Sequence, residues 1–260
     1  MKIRNTYIGI FAAMVLFALL NVAKIYANGK TTTADTEQSI TRQVKIEEFN
    51  KIEVSQGIHL VVIQRENPGV AKIKTTSKLD DMLRVETVNG CLKVYFDNGN
   101  IKLNIPKDAV IVTVNTPSLK DIEVSSAAEV VLSGQFNING DLEVEASSSG
   151  KVYAKNLSCT KLEIDASSAS NVSIGDYSGN LDVDASSAST VEIKSVKGRV
   201  IDVEASSAST ISIEKINCQK IEAEASSASK ISLVGSCSQF KKDASSGARI
   251  SHSKLFVRKN

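Results

Sequence analysis

A short block close to A-S-S-A-S recurs along the second half of the sequence with a period of about twenty residues. The first serine of this block stands at residues 125, 147, 167, 186, 206, 226 and 245. Copies spaced this regularly indicate a solenoid, in which each copy forms one coil and packs against its neighbours. The repeat therefore constrains the fold of residues 116–251 more than any other feature.

Each copy has the pattern of two short strands joined by a corner. In residues 162–166, apolar and acidic side chains alternate, which is typical of a strand with one buried and one exposed face. Residues 167–170 carry small side chains that permit a tight bend, and their hydroxyls can bond to nearby backbone groups. Residues 171–174 alternate again, and a variable segment leads to the next copy.

Stacked copies can bury apolar side chains that a single copy would leave exposed. One copy has too few apolar side chains to fold alone. Neighbouring coils would lie about 4.8 Å apart, so six or seven of them would form a rod of roughly 30 Å. A leucine-rich repeat is also short, but it requires recurrent leucines and an asparagine column that this sequence lacks. We therefore predict an all-β fold, a parallel β-helix (β-solenoid) with coils of about 20 residues, whose handedness stays open.

Residues 41–115 are rich in strand patterns but do not repeat. Residues 59–63 form a buried-strand run, Asn89 and Gly90 form a strong hairpin signal, and residues 101–105 alternate up to Pro106. Residues 78–82 have the pattern of one helical turn. We predict that this β-rich region caps or extends the solenoid.

The first residues predict export. Lys2 and Arg4 precede an uncharged apolar run over residues 7–22, and Ala27 offers a small residue for cleavage, so residues 1–27 are a predicted signal peptide. An uncleaved membrane anchor is the alternative, although the run is shorter than the roughly 20 residues that span a bilayer. Residues 28–40 are polar and predict a flexible leader. The expected location is the periplasm, the cell surface or the extracellular space, with the signal segment, if uncleaved, as the membrane contact.

The charge balance argues against a nucleic-acid partner. The chain has 31 basic and 29 acidic residues, and cleavage after Ala27 would remove Lys2, Arg4 and Lys24, which leaves 28 and 29. Nucleic-acid binding needs a basic stripe, and the sequence offers only a basic C-terminal tail at residues 252–260. An open final coil would invite self-association, which the basic residues of 249–260 would oppose.

Acidic residues recur on the outward side of the first strand of each copy. Stacking would bring ten of them into two ladders: Glu143, Glu145, Glu163, Asp165, Asp182, Asp184, Asp202, Glu204, Glu222 and Glu224. Like charges this close repel each other, so some compensation is expected. Three interpretations stay open, namely a solvated face with counterions, a face for an unknown protein or glycan partner, and a cation site. The candidate ligands for Ca²⁺ are Asp182, Asp184, Asp202 and Glu204.

We predict no catalytic residue, no cofactor and no enzymatic activity. The serine blocks lack a G-x-S-x-G elbow, and the sequence has only two histidines, His59 and His252. Carboxylate pairs about 5–9 Å apart could in principle cleave glycosidic bonds, but the sequence has no Trp for a sugar platform. The predicted function is a structural or adhesin-like one. The alternatives are binding of a small ligand or cation and, as the least favoured, a carbohydrate-active β-helix enzyme.

Three of the four cysteines fall at similar positions in their copies. Cys159, Cys218 and Cys237 would lie near one column on the third side of the coil, with Cys218 and Cys237 in adjacent coils. The stacking distance is compatible with a disulfide between these two. The alternative is a column of buried free thiols that pack as small apolar groups.

The non-repeating region contains motifs of a known family. Residues 49–59 hold an I-x-V pattern followed by Gly57, Ile58 and His59, and residues 105–106 and 117–122 hold a P-x-L-x-x-I segment after an earlier I-P. Together with the A-S-S-A-S blocks, these resemble the putative auto-transporter adhesin, head GIN domain family. His59 stands where that family has Asn, and Ser168, Ser187, Ser207 and Ser227 take the Gly place of its S-G-A-S repeat.

The resemblance covers about residues 44–255. It implies a secreted bacterial protein with a β-helical fold, of a kind common in Bacteroidetes, and a role in adhesion. It supplies no catalytic residue.

Overall fold

The computed structural model describes residues 38–97 and 105–258. The predicted signal peptide at residues 1–27, most of the predicted leader at 28–40 and most of the alternating run at 101–105 lie outside the described residues. Within the described ranges, no helix is long and apolar enough to cross a membrane.

Strands account for most of the described chain. The strands before the repeat are β1 (Ser39–Lys45), β2 (Lys51–Val54), β3 (His59–Gln64), β4 (Val70–Thr76), β5 (Leu83–Val88), β6 (Cys91–Phe96) and β7 (Ile111–Thr116). The strands of the repeat are β8 (Asp121–Val124), β9 (Glu129–Asn137), β10 (Leu142–Ala146), β11 (Lys151–Ala166), β12 (Asn171–Ala185), β13 (Thr190–Lys197), β14 (Val200–Ala205), β15 (Thr210–Asn217), β16 (Lys220–Ala225), β17 (Lys230–Cys237), β18 (Gln239–Ala244) and β19 (Arg249–Val257). One short helix, α1 (Ser77–Asp80), lies where the helical turn was predicted.

Each copy of the repeat forms one coil with two principal strands, which confirms the predicted parallel β-solenoid. The strands that precede the serine corners stack as one sheet face, here called face A, in the order β8, β10, residues 162–166 of β11, residues 181–185 of β12, β14, β16 and β18. The strands that follow the corners stack as face B, in the order β9, β11, β12, β13, β15, β17 and β19. All these neighbours are parallel.

The apolar side chains of each strand point inward, and each stacks on the equivalent apolar side chain of the next coil. One such column is in register from coil to coil and contains Leu142, Leu162, Leu181, Ile201 and Ile221, each exposed by 2% or less. Alternation along the strand therefore places every second side chain in one continuous core.

The first coil along the described chain is not at the end of the stack. β2 pairs in parallel with both β6 and β8, and β3 pairs in parallel with both β7 and β9. The β2–β3 coil therefore lies between the β6–β7 coil and the first coil of the repeat. The non-repeating region thus extends the solenoid by two coils.

The same region also covers the end of the stack with antiparallel strands. β4 pairs with β7 and β1 pairs with β4 on face B, while β5 pairs with β6 on face A. Asn89 and Gly90, both with positive φ, join β5 to β6, which confirms the predicted hairpin.

The corners rely on a pair of residues in the left-handed region. In the block at 167–170, Ser168 and Ala169 have φ values of 52° and 61°, and the N–H of Ser170 donates to the carbonyl of Ser167 at 3.1 Å. Two consecutive positive φ values are those of a type I′ turn, which residues other than Gly adopt at some cost. The N–H of Ala169 donates to the carbonyl of Ser187 in the next coil at 3.0 Å. The ladder between coils therefore continues through the corner, and this offsets the conformational cost.

The G-I motif of the non-repeating region forms the same corner. Gln56 and Gly57 have φ values of 62° and 70°, and the N–H of Gly57 donates to the carbonyl of Ser126 at 2.9 Å. Residues 56–57 thus take the place of the left-handed pair in the inserted coil, which aligns it with the repeat.

The last serine of most blocks points into the core. Ser170, Ser189, Ser209 and Ser229 are 1–2% exposed. The hydroxyls of Ser189, Ser209 and Ser229 donate to the carbonyls of Ala166, Ala185 and Ala205 at 2.8–2.9 Å. The expected bonds between corner hydroxyls and the backbone are therefore present, and they tie neighbouring coils together.

The final described coil departs from the core pattern. Lys242 of β18 is in register with Ala223 of β16, an inward position, and is exposed at the open end of the stack. The guanidinium of Arg258 donates to the carbonyl of Cys218 at 2.6 Å. A charge at an inward position of an edge strand opposes pairing with another chain. The expected self-association stays a prediction.

Replacing Ser209 with Ala should destabilise the protein by about 1 kcal/mol, which lowers the melting temperature by about 2–4 °C. The Ser209 hydroxyl donates to Ala185 and accepts from the N–H of Ser206 at 3.1 Å, so both bonds would be lost. Ser170→Ala is the matched control, because Ser170 is equally buried and its hydroxyl has no partner among the described residues. Equal losses of melting temperature in the two variants would contradict the stabilising role of the Ser209 hydrogen bonds.

Candidate functional site

Face A carries two uninterrupted columns of carboxylates. The first, here called the outer column, contains Asp121, Glu143, Glu163, Asp182, Asp202 and Glu222. The second, called the groove column, contains Glu53, Glu123, Glu145, Asp165, Asp184, Glu204, Glu224 and Asp243. Neighbours within a column lie on adjacent strands, about 4.8 Å apart along the stack.

The columns bring together all ten acidic residues that the sequence placed on this face. They also contain four that were not predicted, namely Glu53, Asp121, Glu123 and Asp243. The signal was present, since K-I-E-V at 51–54 and D-I-E-V at 121–124 have the same alternation as the later copies. Only the stacking of β2 on β8 shows that Glu53 continues the column.

Lysines neutralise much of the outer column. The ammonium of Lys161 lies 3.0 Å from Glu163 and 2.7 Å from Asp182, and that of Lys220 lies 3.1 Å from Glu222. Lys51 pairs with Asp121 at 3.0 Å, at the other end of the column. These ion pairs have an electrostatic signature at Glu222, whose pKa is lowered by the hydrogen bond from Lys220.

The groove column is much less neutralised. Its ion pairs lie near its ends, where Lys93 pairs with Glu53 and Lys241 with Glu224. Within the described ranges, no ion pair reaches the five members between them: Glu123, Glu145, Asp165, Asp184 and Glu204. The middle of the column therefore presents a row of carboxylates that no ion pair neutralises within the described part of the chain.

Crowding raises the pKa of several of these carboxyls. Loss of hydration is the main cause for Glu123, Glu145 and Asp165, and the neighbouring carboxylates add to it. The pKa of Asp184 rises to about 6 for the same reason, with repulsion from Glu204 as the next cause. The side chains stay in contact with solvent, so the effect is partial desolvation together with like charges at close range.

A groove of about 950 Å³ runs along this column. One wall is the groove column, and the other is formed by the first serine of each corner. These serines are Ser55, Ser125, Ser147, Ser167, Ser186, Ser206, Ser226 and Ser245. Tyr95 and Phe96 lie at one end. The left-handed corner turns the chain away from face A and so creates the groove, which sequence alternation could not reveal.

One grouping of carboxylates is close enough to share an ion. Oxygens of Glu143, Glu145 and Asp165 lie within 4.8 Å of one another. This trio overlaps the predicted acidic face but not the four predicted Ca²⁺ ligands, Asp182, Asp184, Asp202 and Glu204. Carboxylate oxygens suit Ca²⁺, so the trio adds a second candidate position.

The remaining candidate groups lie away from the groove. His59 is on face B, with Nδ1 at 3.4 Å from Asp108 and Nε2 at 3.7 Å from Glu129. Cys159 contacts the hydroxyl of Tyr177 at 3.5 Å. Cys218 and Cys237 are buried in adjacent coils with their thiols not joined, and the disulfide that the sequence left possible stays a prediction.

Replacing Asp184 with Asn should raise stability at neutral pH. The pKa of Asp184 is raised to about 6 in the folded protein, so its ionisation costs folding free energy above pH 6, and the cost fades as pH falls toward 4. After solvent screening we expect a gain of about 1 kcal/mol, or about 2–4 °C in melting temperature, at pH 7.5 and none at pH 4.

Glu222→Gln is the matched control for this variant, because lysines lower the pKa of Glu222. It should give no gain at pH 7.5. Melting curves at both pH values decide, and a D184N protein that melts no higher than the parent at pH 7.5 contradicts the electrostatic account.

Comparison with known proteins identifies the family. The sequence model described as "Putative auto-transporter adhesin, head GIN domain" matches residues 48–214 and 181–259. A search of curated proteins found no match.

Solved structures share the fold at low identity. A putative adhesin from Parabacteroides merdae superposes with a TM-score of 0.67 at 17% identity, covering 83% of this chain and 96% of that one. A putative adhesin from Bacteroides fragilis gives 0.64 at 19% identity, covering 83% and 97%. A putative lipid binding protein from Parabacteroides distasonis gives 0.62 at 18% identity, covering 86% and 98%. On the family match, the chain belongs to the putative auto-transporter adhesin, head GIN domain family.

Proposed function

We propose that this chain is a non-enzymatic exported protein that uses face A to hold a partner surface bearing positive charges, on a protein or a glycan. The observation that carries the proposal is the groove column, whose five central carboxylates have no ion pair within the described ranges. A row of charge that the protein leaves uncompensated favours a partner that supplies the opposite charge.

A positively charged partner should gain the most binding free energy beside carboxylates whose pKa is raised in the free protein. The pKa of Asp184 is about 6 because partial desolvation, followed by repulsion from neighbouring carboxylates, opposes its charge. A cation placed in the groove would remove that repulsion and hold the carboxylates ionised. The side chains of lysine and arginine, or the amino groups of a glycan, have the required charge.

The fold supports binding by keeping the charges in place. Each coil is hydrogen-bonded to its neighbours through face A, face B and the corner. Little conformational freedom is therefore lost when a partner docks, and preorganisation of this kind favours affinity.

The uniformity of the coils supports a binding role over catalysis. An active site requires one distinctive arrangement, whereas the groove offers the same carboxylate and serine in coil after coil. A carbohydrate-active enzyme would need a sugar platform, and the aromatic residues that line the groove, Tyr95 and Phe96, lie at one end.

The groove also gives little support to a lipid ligand. One structural relative is called a putative lipid binding protein. Acyl chains need an apolar cavity, and the groove here is lined mainly by carboxylates and serines. Its negative charge would also repel anionic head groups.

Charge reversal tests the proposal. The variant D182K/D184K/D202K/E204K replaces four carboxylates in the middle of both columns and should weaken binding to immobilised poly-L-lysine by at least tenfold at 0.15 M salt. The matched control E66K/D176K/E192K/E214K changes four exposed carboxylates outside the columns. It has the same change in net charge and should bind nearly as well as the parent.

Equal weakening in both variants would show that net charge, and not face A, governs the binding. Protein and glycan arrays probed with the same three proteins would then identify natural partners. A partner that binds the parent and the face A variant equally contradicts the proposal.

Cation binding is the second candidate. The approach of Glu143, Glu145 and Asp165 within 4.8 Å favours it. Titration calorimetry with Ca²⁺ separates the two functions, because a specific site should release or take up heat that disappears in Glu145→Gln. An absence of heat and of any melting shift at millimolar Ca²⁺ removes this candidate.

A further inference from the structure

We infer that Cys218 and Cys237 form a disulfide that joins two consecutive coils when the chain folds under oxidising conditions. This modification site is independent of face A and of the proposed partner. It lies one coil in from the open end of the solenoid, because β19 stacks on β17.

The register places the two residues side by side. Asn217, the last residue of β15, pairs with Ser236 of β17, so Cys218, which follows β15, lies beside Cys237, the last residue of β17. The N–H of Cys218 donates to the carbonyl of Ser236 at 3.2 Å, which continues the parallel ladder to this point. Parallel strands lie about 4.8 Å apart, within the 4.4–6.8 Å range of Cα separations that a disulfide bridges.

Both side chains face the interior. Cys218 is 2% exposed and Cys237 is fully buried at 0%. The Cys218 thiol has one weak contact, as a donor to the carbonyl of Lys220 at 3.6 Å. No strong bond would have to break for the two sulfur atoms to join.

The other cysteines are too far away to compete. Leu157, Tyr177, Val196 and Ile216 follow one another in register from β11 to β15. Cys159 and Cys218 each lie two residues after a member of that column, so they are three coils, or about 14 Å, apart. Cys91 lies on β6 in face A. Only one intramolecular pair is within reach.

Arg258 already holds the two strands together. Its N–H donates to the carbonyl of Cys237 at 2.8 Å, and its Nη2 donates to the carbonyl of Cys218 at 2.6 Å. Arg258 thus bridges the backbone carbonyls of Cys218 and Cys237. A covalent bond on the interior side would complete the clamp beneath the final described coil, in which Val257 of β19 is in register with Cys237.

The oxidant is a low-molecular-weight disulfide such as oxidised glutathione. One cysteine thiolate attacks it, which releases one glutathione thiolate and leaves a mixed disulfide. The second cysteine thiolate attacks the protein sulfur and releases the second glutathione thiolate. The two cysteines lose two protons and two electrons, and the oxidant gains two electrons.

The reaction belongs to folding and precedes the packing of the last coil. Burial raises the pKa of the Cys218 thiol to about 12 and also raises that of Cys237. Few thiolates exist in the closed coil at neutral pH, so the folded protein reacts slowly with oxidants and reductants alike.

Peptide mapping tests the inference. The full-length chain is unfolded, refolded with oxidised glutathione, alkylated with N-ethylmaleimide in denaturant without reductant, and digested with trypsin. We expect residues 216–220 and 231–241 as a disulfide-linked pair, with Cys91 and Cys159 alkylated. Alkylation of all four cysteines, or a link that involves Cys91 or Cys159, would overturn the inference.

A second measurement compares the variants by their sensitivity to reductant. Dithiothreitol added during refolding should lower the melting temperature of the parent and of Cys91→Ser by about 5 °C. It should leave C218S, C237S and the double variant unchanged. Because each protein is its own reference, a stability cost of the serine itself does not affect the result. A parent protein that melts at the same temperature with and without dithiothreitol contradicts the inference.

Discussion

The structure depends on hydrogen bonds between neighbouring coils that continue through the corners. Parallel strands on faces A and B supply most of this ladder, and the left-handed pair at each corner carries it around the bend. Ser168 and Ala169 occupy conformations in which Gly would be less strained. They are held there because the N–H of Ala169 reaches the carbonyl of Ser187 in the next coil. A single coil has no such partner, so stability arises between coils.

The ladder also explains how one face can hold so many like charges. The backbone hydrogen bonds set the spacing between coils, and this spacing fixes the distance between neighbouring carboxylates on face A. Lysines relieve the outer column at Glu163, Asp182 and Glu222. The groove column has few ion pairs, and its partial desolvation and charge repulsion raise the pKa of Asp184. Packing of the inward Leu and Ile columns outweighs this repulsion, and the result is a rigid negative surface with a serine wall beside it.

The sequence predicted the repeating coils, because alternation identifies which side chains point outward and the period fixes which of them stack. It could not predict the insertion of β2–β3 between β6–β7 and β8–β9. Glu53 alternates as Glu123 does, and local pattern does not say which strand will be its neighbour. The groove escaped prediction because it depends on the handedness of the Ser168–Ala169 turn. The inward position of Lys242 was not predicted, because a lysine breaks the apolar pattern that marks inward positions. Its register with Ala223 shows that the position points inward.

Native-state hydrogen exchange, followed by mass spectrometry, tests the stacking account most directly. If coils are protected by the neighbours on both sides, amides of β2 and β3 should exchange as slowly as those of β13 and β14, although they come first along the described chain. Amides of β19, in the open final coil, should exchange fastest among the solenoid strands. Rapid exchange of β2 and β3 together with slow exchange of β6 and β7 would place the β2–β3 coil at the end of the stack and contradict the account.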